Sequence, residues 1–231
     1  MNDKQLVAEY AAGQIQDGMV VGLGTGSTAN FFIAALAQRQ VSEGLQVQVV
    51  ASSVVSAIKA QSLGLSLLAL ENINQLDVYV DGADEVSPDL SLLKGRGADL
   101  VREKLLAKAS LAFWVLIDPS KRVTRIGQNY PIPLEVMPFA WQLVQKNITK
   151  LGGTAQLRAT ASGDGLAVTS YGSLVLDATF PADVDTQKLN TQLNAIPGIA
   201  EHGIFTGLTS AVFCAVNGLV QEQWAENSQN L

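Results

Sequence analysis

Four runs of β-forming residues recur through the first half of the chain: Met19-Val20-Val21-Gly22-Leu23, Val47-Gln48-Val49-Val50, Val78-Tyr79-Val80 and Leu111 to Ile117. They show no polar face, so they must be covered on both sides. Between them lie stretches with helical spacing. Residues 3–16 open with Asn2 or Asp3 as N-cap; Phe31, Phe32, Ala35 and Leu36 then share one helical face. Residues 54–63 close at Gly64, and a further helix is expected over 97–109. Leu65 to Leu70 reads as another strand. Strands that alternate with helices in this way specify a parallel sheet with helices on both faces.

Near residue 128 the pattern changes, punctuated by Pro131, Pro133 and Pro138. A strand at 132–136, a helix at 139–150 and hairpin-like strands from 155 to 178 follow, with turns at Gly163-Asp164-Gly165 and Tyr171-Gly172. A helix at 185–195 and a strand near 199–202 complete the order β-α-β-β-α-β, that of a ferredoxin-like α+β unit, with an extra strand allowed for. Residues 204–219 return to apolar strand character and are expected to rejoin the first sheet. The polar segment from Gln221 to Leu231 is expected to fray. The expected organisation is α/β: a Rossmann-like open parallel sheet domain of residues 1–127 and 204–231, and a smaller ferredoxin-like domain of residues 128–203.

Composition narrows the function classes. Of the 231 residues 48% are hydrophobic and 16% charged, with a formal net charge of −6, so the chain has no electrostatic attraction to nucleic acid or to anionic membranes. No apolar run approaches the roughly 18 residues of a membrane span. Met1-Asn2-Asp3-Lys4-Gln5 lacks the pattern of a secretory signal, and the cytoplasm is the expected compartment. The one cysteine, Cys214, sits inside an apolar run and reads as a buried strand residue; the one histidine is His202.

Three segments carry groups that bind or ionise. Gly22-Leu23-Gly24-Thr25-Gly26-Ser27-Thr28-Ala29 joins a strand to a helix, which makes an anion site of backbone N–H groups and the hydroxyls of Ser27 and Thr28. It lacks the lysine of a P-loop. It fits G-x-G-x-x-A, but the second strand ends in Ala51-Ser52-Ser53 without the acid that a dinucleotide ribose requires. A small ligand and a plain tight turn both remain readings of this loop. Asp81-Gly82-Ala83-Asp84-Glu85 ends a strand where ligands of open α/β sheets bind. Asp81 and Asp84 could serve a ligand, a Mg²⁺ ion or simple turn chemistry, although their spacing matches no dedicated metal motif. Lys94-Gly95-Arg96-Gly97 lets backbone amides approach a ligand and leads into Arg102-Glu103-Lys104. From the residues alone, Glu103 reads as an exposed helix residue, two turns in.

In this order and at this spacing, the three segments resemble those of type A ribose-5-phosphate isomerases, and the resemblance covers most of the chain. It implies an aldose–ketose isomerase that interconverts D-ribose 5-phosphate and D-ribulose 5-phosphate through an enediolate, with no metal and no cofactor. It makes Glu103 the proton-transferring base and Asp81 the group that opens the sugar ring. Asp84 and Lys94 then bind hydroxyls and stabilise charge. Thr25, Gly26, Ser27 and Thr28, with Gly82 and Ala83 and the loop Lys94, Gly95, Arg96 and Gly97, line the site. Lys121, after Asp118-Pro119-Ser120, and Lys4 match phosphate-binding lysines. It further implies a homo-oligomer, a dimer first, assembled through the smaller domain. Arg96 stands where the family has glycine, Asp99 where a small or apolar residue is usual, and Ala211 where aspartate is common. A phosphosugar-sensing domain of the same fold is the alternative function. Deaminase relatives of the fold rely on a catalytic histidine, for which only His202 is available.

Overall fold

The structure is a computed structural model that describes residues 2–226. In chain order the first elements are α1 (Asp3–Gly13), β1 (Val20–Leu23), α2 (Ser27–Glu43), β2 (Gln48–Ala51), α3 (Val54–Ser62), β3 (Ser66–Leu67) and β4 (Leu76–Gly82). Next come β5 (Glu85–Val86), β6 (Leu92–Leu93), α4 (Leu100–Ala109), β7 (Ser110–Ile117), β8 (Ile132–Val136), α5 (Trp141–Lys150), β9 (Thr154–Leu157) and β10 (Leu174–Thr179). The last are α6 (Thr186–Asn194), β11 (Ile199–His202), β12 (Ile204–Phe205), β13 (Ala211–Val216) and β14 (Leu219–Trp224). Two compact units result. The first takes the chain up to Ala83, Arg102–Lys121 and the chain from Leu208; the second takes Asp84–Val101 and Arg122–Gly207.

The first unit holds a seven-stranded sheet in the order β14-β13-β7-β4-β1-β2-β3. All neighbours run parallel except the edge pair β13 and β14. Read from β3, the parallel strands follow the doubly wound order, and the direction of winding reverses at β1 and β4. The apolar strands are covered as their composition demands: Val7, Ala8 and Ala11 of α1 and Phe32, Ile33 and Leu36 of α2 pack with Val21, Leu23, Val80 and Phe213. Asn2 is the N-cap of α1, its Oδ1 accepting from the Gln5 N–H at 2.8 Å.

Two local expectations need correction. The segment Leu65 to Leu70 contributes only Ser66–Leu67 to the sheet and then forms a 3₁₀ turn over Leu70–Asn72. Both strand residues are exposed at the sheet edge, where pairing with β2 covers two registers. Gln221 to Trp224 does not fray, because it belongs to β14, hydrogen-bonded along β13. Its signal is the turn Asn217-Gly218, both residues with positive φ (53° and 78°), the backbone of a tight two-residue hairpin. Residues 227–231 of that segment lie outside the described residues.

In the second unit, β8 to β11 form an antiparallel sheet in the order β11-β8-β10-β9. With α5 and α6 between the strands this is the ferredoxin-like arrangement. Val144 and Ile148 of α5 and Leu189 and Leu193 of α6 pack on Leu134, Val136 and Leu176. The sheet has no extra strand; residues between β9 and β10 make only the bridges Ala159–Leu166 and Val168–Leu174. A small sheet, β12-β6-β5, also lies in this unit. The second unit also takes residues 84–101, 122–127 and 204–207, which the sequence groups with the parallel sheet. Strands of two residues leave no periodic signal.

Candidate active site

The turn after β1 uses its glycines for different purposes. Gly22 faces Tyr79 across the β1–β4 pair, and a Cβ there would lie 2.7 Å from Tyr79 Cδ2. A Cβ on Gly24 would lie 2.0 Å from Asp81 Oδ1. The first two glycines therefore make room for side chains of β4. Gly24 also has its backbone occupied: its N–H donates to Val80 O at 2.9 Å and its carbonyl accepts from Ser56 Oγ at 2.6 Å. Gly26 is different. It is the N-cap of α2 with φ 110°, a conformation that favours glycine, and no side chain caps the helix from that position. The anion-binding function expected of the loop falls to the first turn of α2, where N–H groups lack intrahelical partners. Ser27 is there, and the Lys4 ammonium donates to its Oγ at 3.0 Å. Thr28 follows, half-buried.

Asp81, near the end of β4, is fully buried. Its Oδ1 accepts from the N–H of Thr25 at 3.1 Å and of Gly82 at 2.7 Å, while its Oδ2 accepts from the Tyr79 hydroxyl at 2.5 Å. The Tyr79 ring stacks on Phe113, centroids 4.9 Å apart and planes inclined by 20°. Burial pushes the Tyr79 phenol well above the usual tyrosine range, and the charges of Asp81 and Glu103 push it further. Hydroxyls gather next to Asp81's donor Thr25: Thr25 Oγ1 lies 2.8 Å from Ser52 Oγ and 2.7 Å from Ser53 Oγ, and Ser53 caps α3 by accepting from Ser56 N–H at 3.2 Å.

Glu103 is only 5% exposed, which removes the exposed-helix reading. It lies in the first turn of α4 rather than two turns in, because the helix starts at Leu100. Beside it, Arg102 Nη2 donates to Ala51 O at 3.0 Å and ties the helix to the end of β2. Lys121 closes the short 3₁₀ turn after β7 and is half-buried. The turn after β1, the end of β4 and Lys121 all follow the carboxyl ends of parallel strands, where open α/β sheets bind ligands.

The remaining expected residues belong to the second unit. Asp84 Oδ2 accepts from the Arg96 N–H at 3.2 Å. Lys94 is buried; its N–H donates to Gly203 O at 2.9 Å and its ammonium lies 5.9 Å from the centre of the Phe205 ring. Gly95 has φ 97°, and a Cβ there would meet Leu100 Cδ2 at 2.1 Å, so both conformation and space require glycine. Arg96 and Gly97 are exposed, with the Arg96 guanidinium 4.2 Å above the Tyr130 ring. Arg158 braces this loop, its Nη1 donating to the carbonyls of Gly95 and Arg96, each at 3.1 Å. Asp177 holds Arg158 in turn, accepting from Nε at 2.8 Å and Nη2 at 2.5 Å. Tyr79, Ser52 and Arg158 carry no motif. Ser52-Ser53 at a strand end could have been noticed, whereas nothing in the sequence ties Arg158 to a loop 62 residues away.

Among the described residues, no group of three histidine, cysteine or carboxylate side chains is placed to hold a metal. His202 is buried on β11, its Nδ1 accepting from the Ile204 N–H at 3.3 Å. Cys214 is buried on β13.

A model of the family "ribose 5-phosphate isomerase A (phosphoriboisomerase A)" matches residues 48–218. The chain belongs to the ribose 5-phosphate isomerase A family. Within that family it is 42% identical over 218 residues to ribose-5-phosphate isomerase A of Synechococcus sp. (strain JA-3-3Ab), covering 94% of each chain. It is 41% identical to the enzyme of Methanothermobacter thermautotrophicus, over 94% of this chain and 95% of that one. The solved structure of the isomerase from Methanocaldococcus jannaschii superposes with a TM-score of 0.91 at 35% identity, covering 96% of this chain and 97% of that one. A D-ribose-5-phosphate isomerase in complex with phospho-erythronic acid superposes with a TM-score of 0.92, also at 35% identity, over 97% of this chain and all of that one.

Of the three departures from the family pattern, each has a structural place. Arg96 covers Tyr130. The Asp99 carboxylate accepts from Ser170 N–H at 2.9 Å and from its hydroxyl at 2.8 Å. Ala211 starts β13, buried and paired with Trp114 of β7.

Proposed function

We propose that this protein interconverts D-ribose 5-phosphate and D-ribulose 5-phosphate, in the non-oxidative branch of the pentose phosphate pathway. The observation that carries the assignment of roles is the burial of two carboxylates: Asp81 at the end of β4, with both oxygens held by donors, and Glu103 in the first turn of α4. Buried carboxylates beside the ligand-binding rim of an open α/β sheet are equipped for proton movement in a water-poor site.

Asp81, held by three hydrogen-bond donors, opens the furanose: it takes the proton of the anomeric hydroxyl and delivers it to the ring oxygen as the C1–O bond breaks, leaving the C1 aldehyde and a free 4-hydroxyl. Glu103 removes the C2 proton of the open aldose. The electron pair forms the C1–C2 double bond of the enediolate, with charge developing on the C1 oxygen. Glu103 then returns the proton to C1 while the C2 hydroxyl proton passes to the C1 oxygen, which leaves the C2 ketone and a C1 hydroxyl. Asp84 and Lys94 bind sugar hydroxyls, and Lys94 stabilises the developing oxyanion. The amides of Gly26 to Thr28, the Ser27 and Thr28 hydroxyls, Lys4 and Lys121 take the phosphate; the Lys4–Ser27 hydrogen bond supports that grouping. Thr25, Gly82, Ala83 and Gly95 to Gly97 line the sugar. The reaction needs no metal and no cofactor in this account. The protein works in the cytoplasm as a homodimer assembled through its second, smaller domain.

A phosphosugar sensor would need the helix N-terminus but not a buried Glu103, so the buried Glu103 favours the enzyme. Incubation with ribose 5-phosphate and detection of ketose absorbance tests the assignment: a steady rise is expected, while tight binding of the sugar with no ketose would leave the sensor.

A further inference from the structure

We propose that Tyr79 is the positioning residue for Asp81, fixing the rotation of the carboxylate that opens the sugar ring; this rests on the isomerase function proposed above. Tyr79 is fully buried, and its hydroxyl donates to Asp81 Oδ2 at 2.5 Å. Asp81 Oδ1 is held separately by the N–H groups of Thr25 and Gly82. The backbone donors hold one oxygen and the Tyr79 hydroxyl holds the other, so each bears on the plane of the carboxylate.

The surroundings make this hydroxyl a rigid reference. The ring is clamped by stacking on Phe113 and by the missing Cβ of Gly22, 2.7 Å from Cδ2. The absence of a Cβ at Gly24, 2.0 Å from Asp81 Oδ1, gives the carboxylate its seat. Gly22 of β1 and Gly24 just after it thus shape one tyrosine–aspartate pair on the neighbouring strand. Burial and the charges of Asp81 and Glu103 keep the phenol protonated, so it remains a donor throughout the working pH range. Thr25, whose N–H holds Asp81 Oδ1, is itself tied through its Oγ1 to Ser52 Oγ at 2.8 Å.

The test is Tyr79→Phe, which keeps the stacked ring and removes the hydroxyl. Turnover of ribose 5-phosphate, which is supplied mainly as the ring, should fall about 10- to 100-fold, the scale of a misplaced reacting group, with KM within about twofold. Exchange of the C1 proton of ribulose 5-phosphate with deuterated solvent needs no ring opening and should stay within about twofold. In an Asp81→Asn background the Tyr79→Phe change should alter turnover by less than about twofold, because the group it positions is already lost. Equal falls in turnover and exchange, or a multiplicative loss on top of Asp81→Asn, would overturn the positioning role and leave Tyr79 as a packing residue. Unchanged turnover in an intact Tyr79→Phe protein would overturn it as well. Wild-type protein that neither turns over nor exchanges either sugar would overturn the isomerase function itself, and this inference with it.

Discussion

The end of β4 and the Lys94–Gly97 loop are both rich in glycine and charge, yet they are held in opposite ways. At the end of β4, Asp81 is fixed by the sheet itself: the partner strand supplies Gly22 and Gly24 as space and Thr25 as donor, and buried hydroxyls fill the gap. The Lys94–Gly97 loop has no such frame. Its backbone turns through Gly95 at φ 97° and Ala98 at φ 81°, and its carbonyls are gripped by one long side chain, Arg158, anchored on Asp177. The first arrangement tolerates no added atom and suits a group that must move protons within tenths of an ångström. The second hangs on a single side-chain brace and, in the proposed reaction, serves to bind hydroxyls. Variants at the strand end should therefore change kcat, and variants of the brace should change KM.

The largest expected effect is at Glu103. Glu103→Gln keeps shape and hydrogen bonding but removes the proton acceptor, and kcat should fall about 10²- to 10⁴-fold with KM changed by less than about fivefold. A loss confined to KM would erase the contrast between the two regions. Gly24→Ala comes next. The added methyl collides with Asp81 and must displace it, so we expect about a 10²-fold loss of kcat together with about 1–3 kcal/mol of stability, read by turnover and by urea unfolding. Normal kcat in this variant would mean that Asp81 has freedom the structure denies.

Arg158→Lys sharpens the comparison from the other side. Lysine retains the charge but cannot reach two carbonyls and grip Asp177 with a planar fork at once. KM should rise about 10-fold while kcat changes less than about threefold. The smallest effect concerns Glu135, buried on β8 and accepting from Thr169 Oγ1 at 2.9 Å and from the N–H of Val101 at 3.3 Å, the second residue of α4. Burial raises its pKa, with the Thr169 and Val101 hydrogen bonds only partly offsetting. A carboxyl raised on folding costs stability where it is charged in both states. That cost disappears as pH falls through the folded pKa towards the unfolded one. The thermal midpoint of wild-type protein relative to Glu135→Gln should therefore improve as pH drops from 7 towards 4.5; a constant difference would show that the environment of Glu135 is not pH-sensitive.

Much of this was legible in the sequence because the first unit is built from local rules. Strands without a polar face give a parallel sheet, and a glycine turn after one strand and an aspartate at the end of another mark the rim where ligands bind. The purpose of Gly22 and Gly24 was not legible, since it lies in the β1–β4 register and not in the turn. Glu103 reads as a surface residue from its neighbours Arg102 and Lys104, and only packing buries it. Edge strands escaped for a different reason. β14 buries little, so its residues carry little apolar signal beyond the Asn217-Gly218 turn. β5 and β6 are two residues each and are defined by pairing alone. The Arg158 brace spans a sequence separation that no motif covers.

The most direct test of the division of labour at the strand end is solvent exchange starting from ribulose 5-phosphate, which cannot close a furanose because its 5-hydroxyl carries the phosphate. With Glu103→Gln, deuterium incorporation at C1 should collapse in parallel with turnover, about 10²-fold or more. With Asp81→Asn, incorporation should persist while turnover of cyclic ribose 5-phosphate slows. Near-normal exchange in Glu103→Gln would contradict the account and would move the base to Asp81 or Asp84.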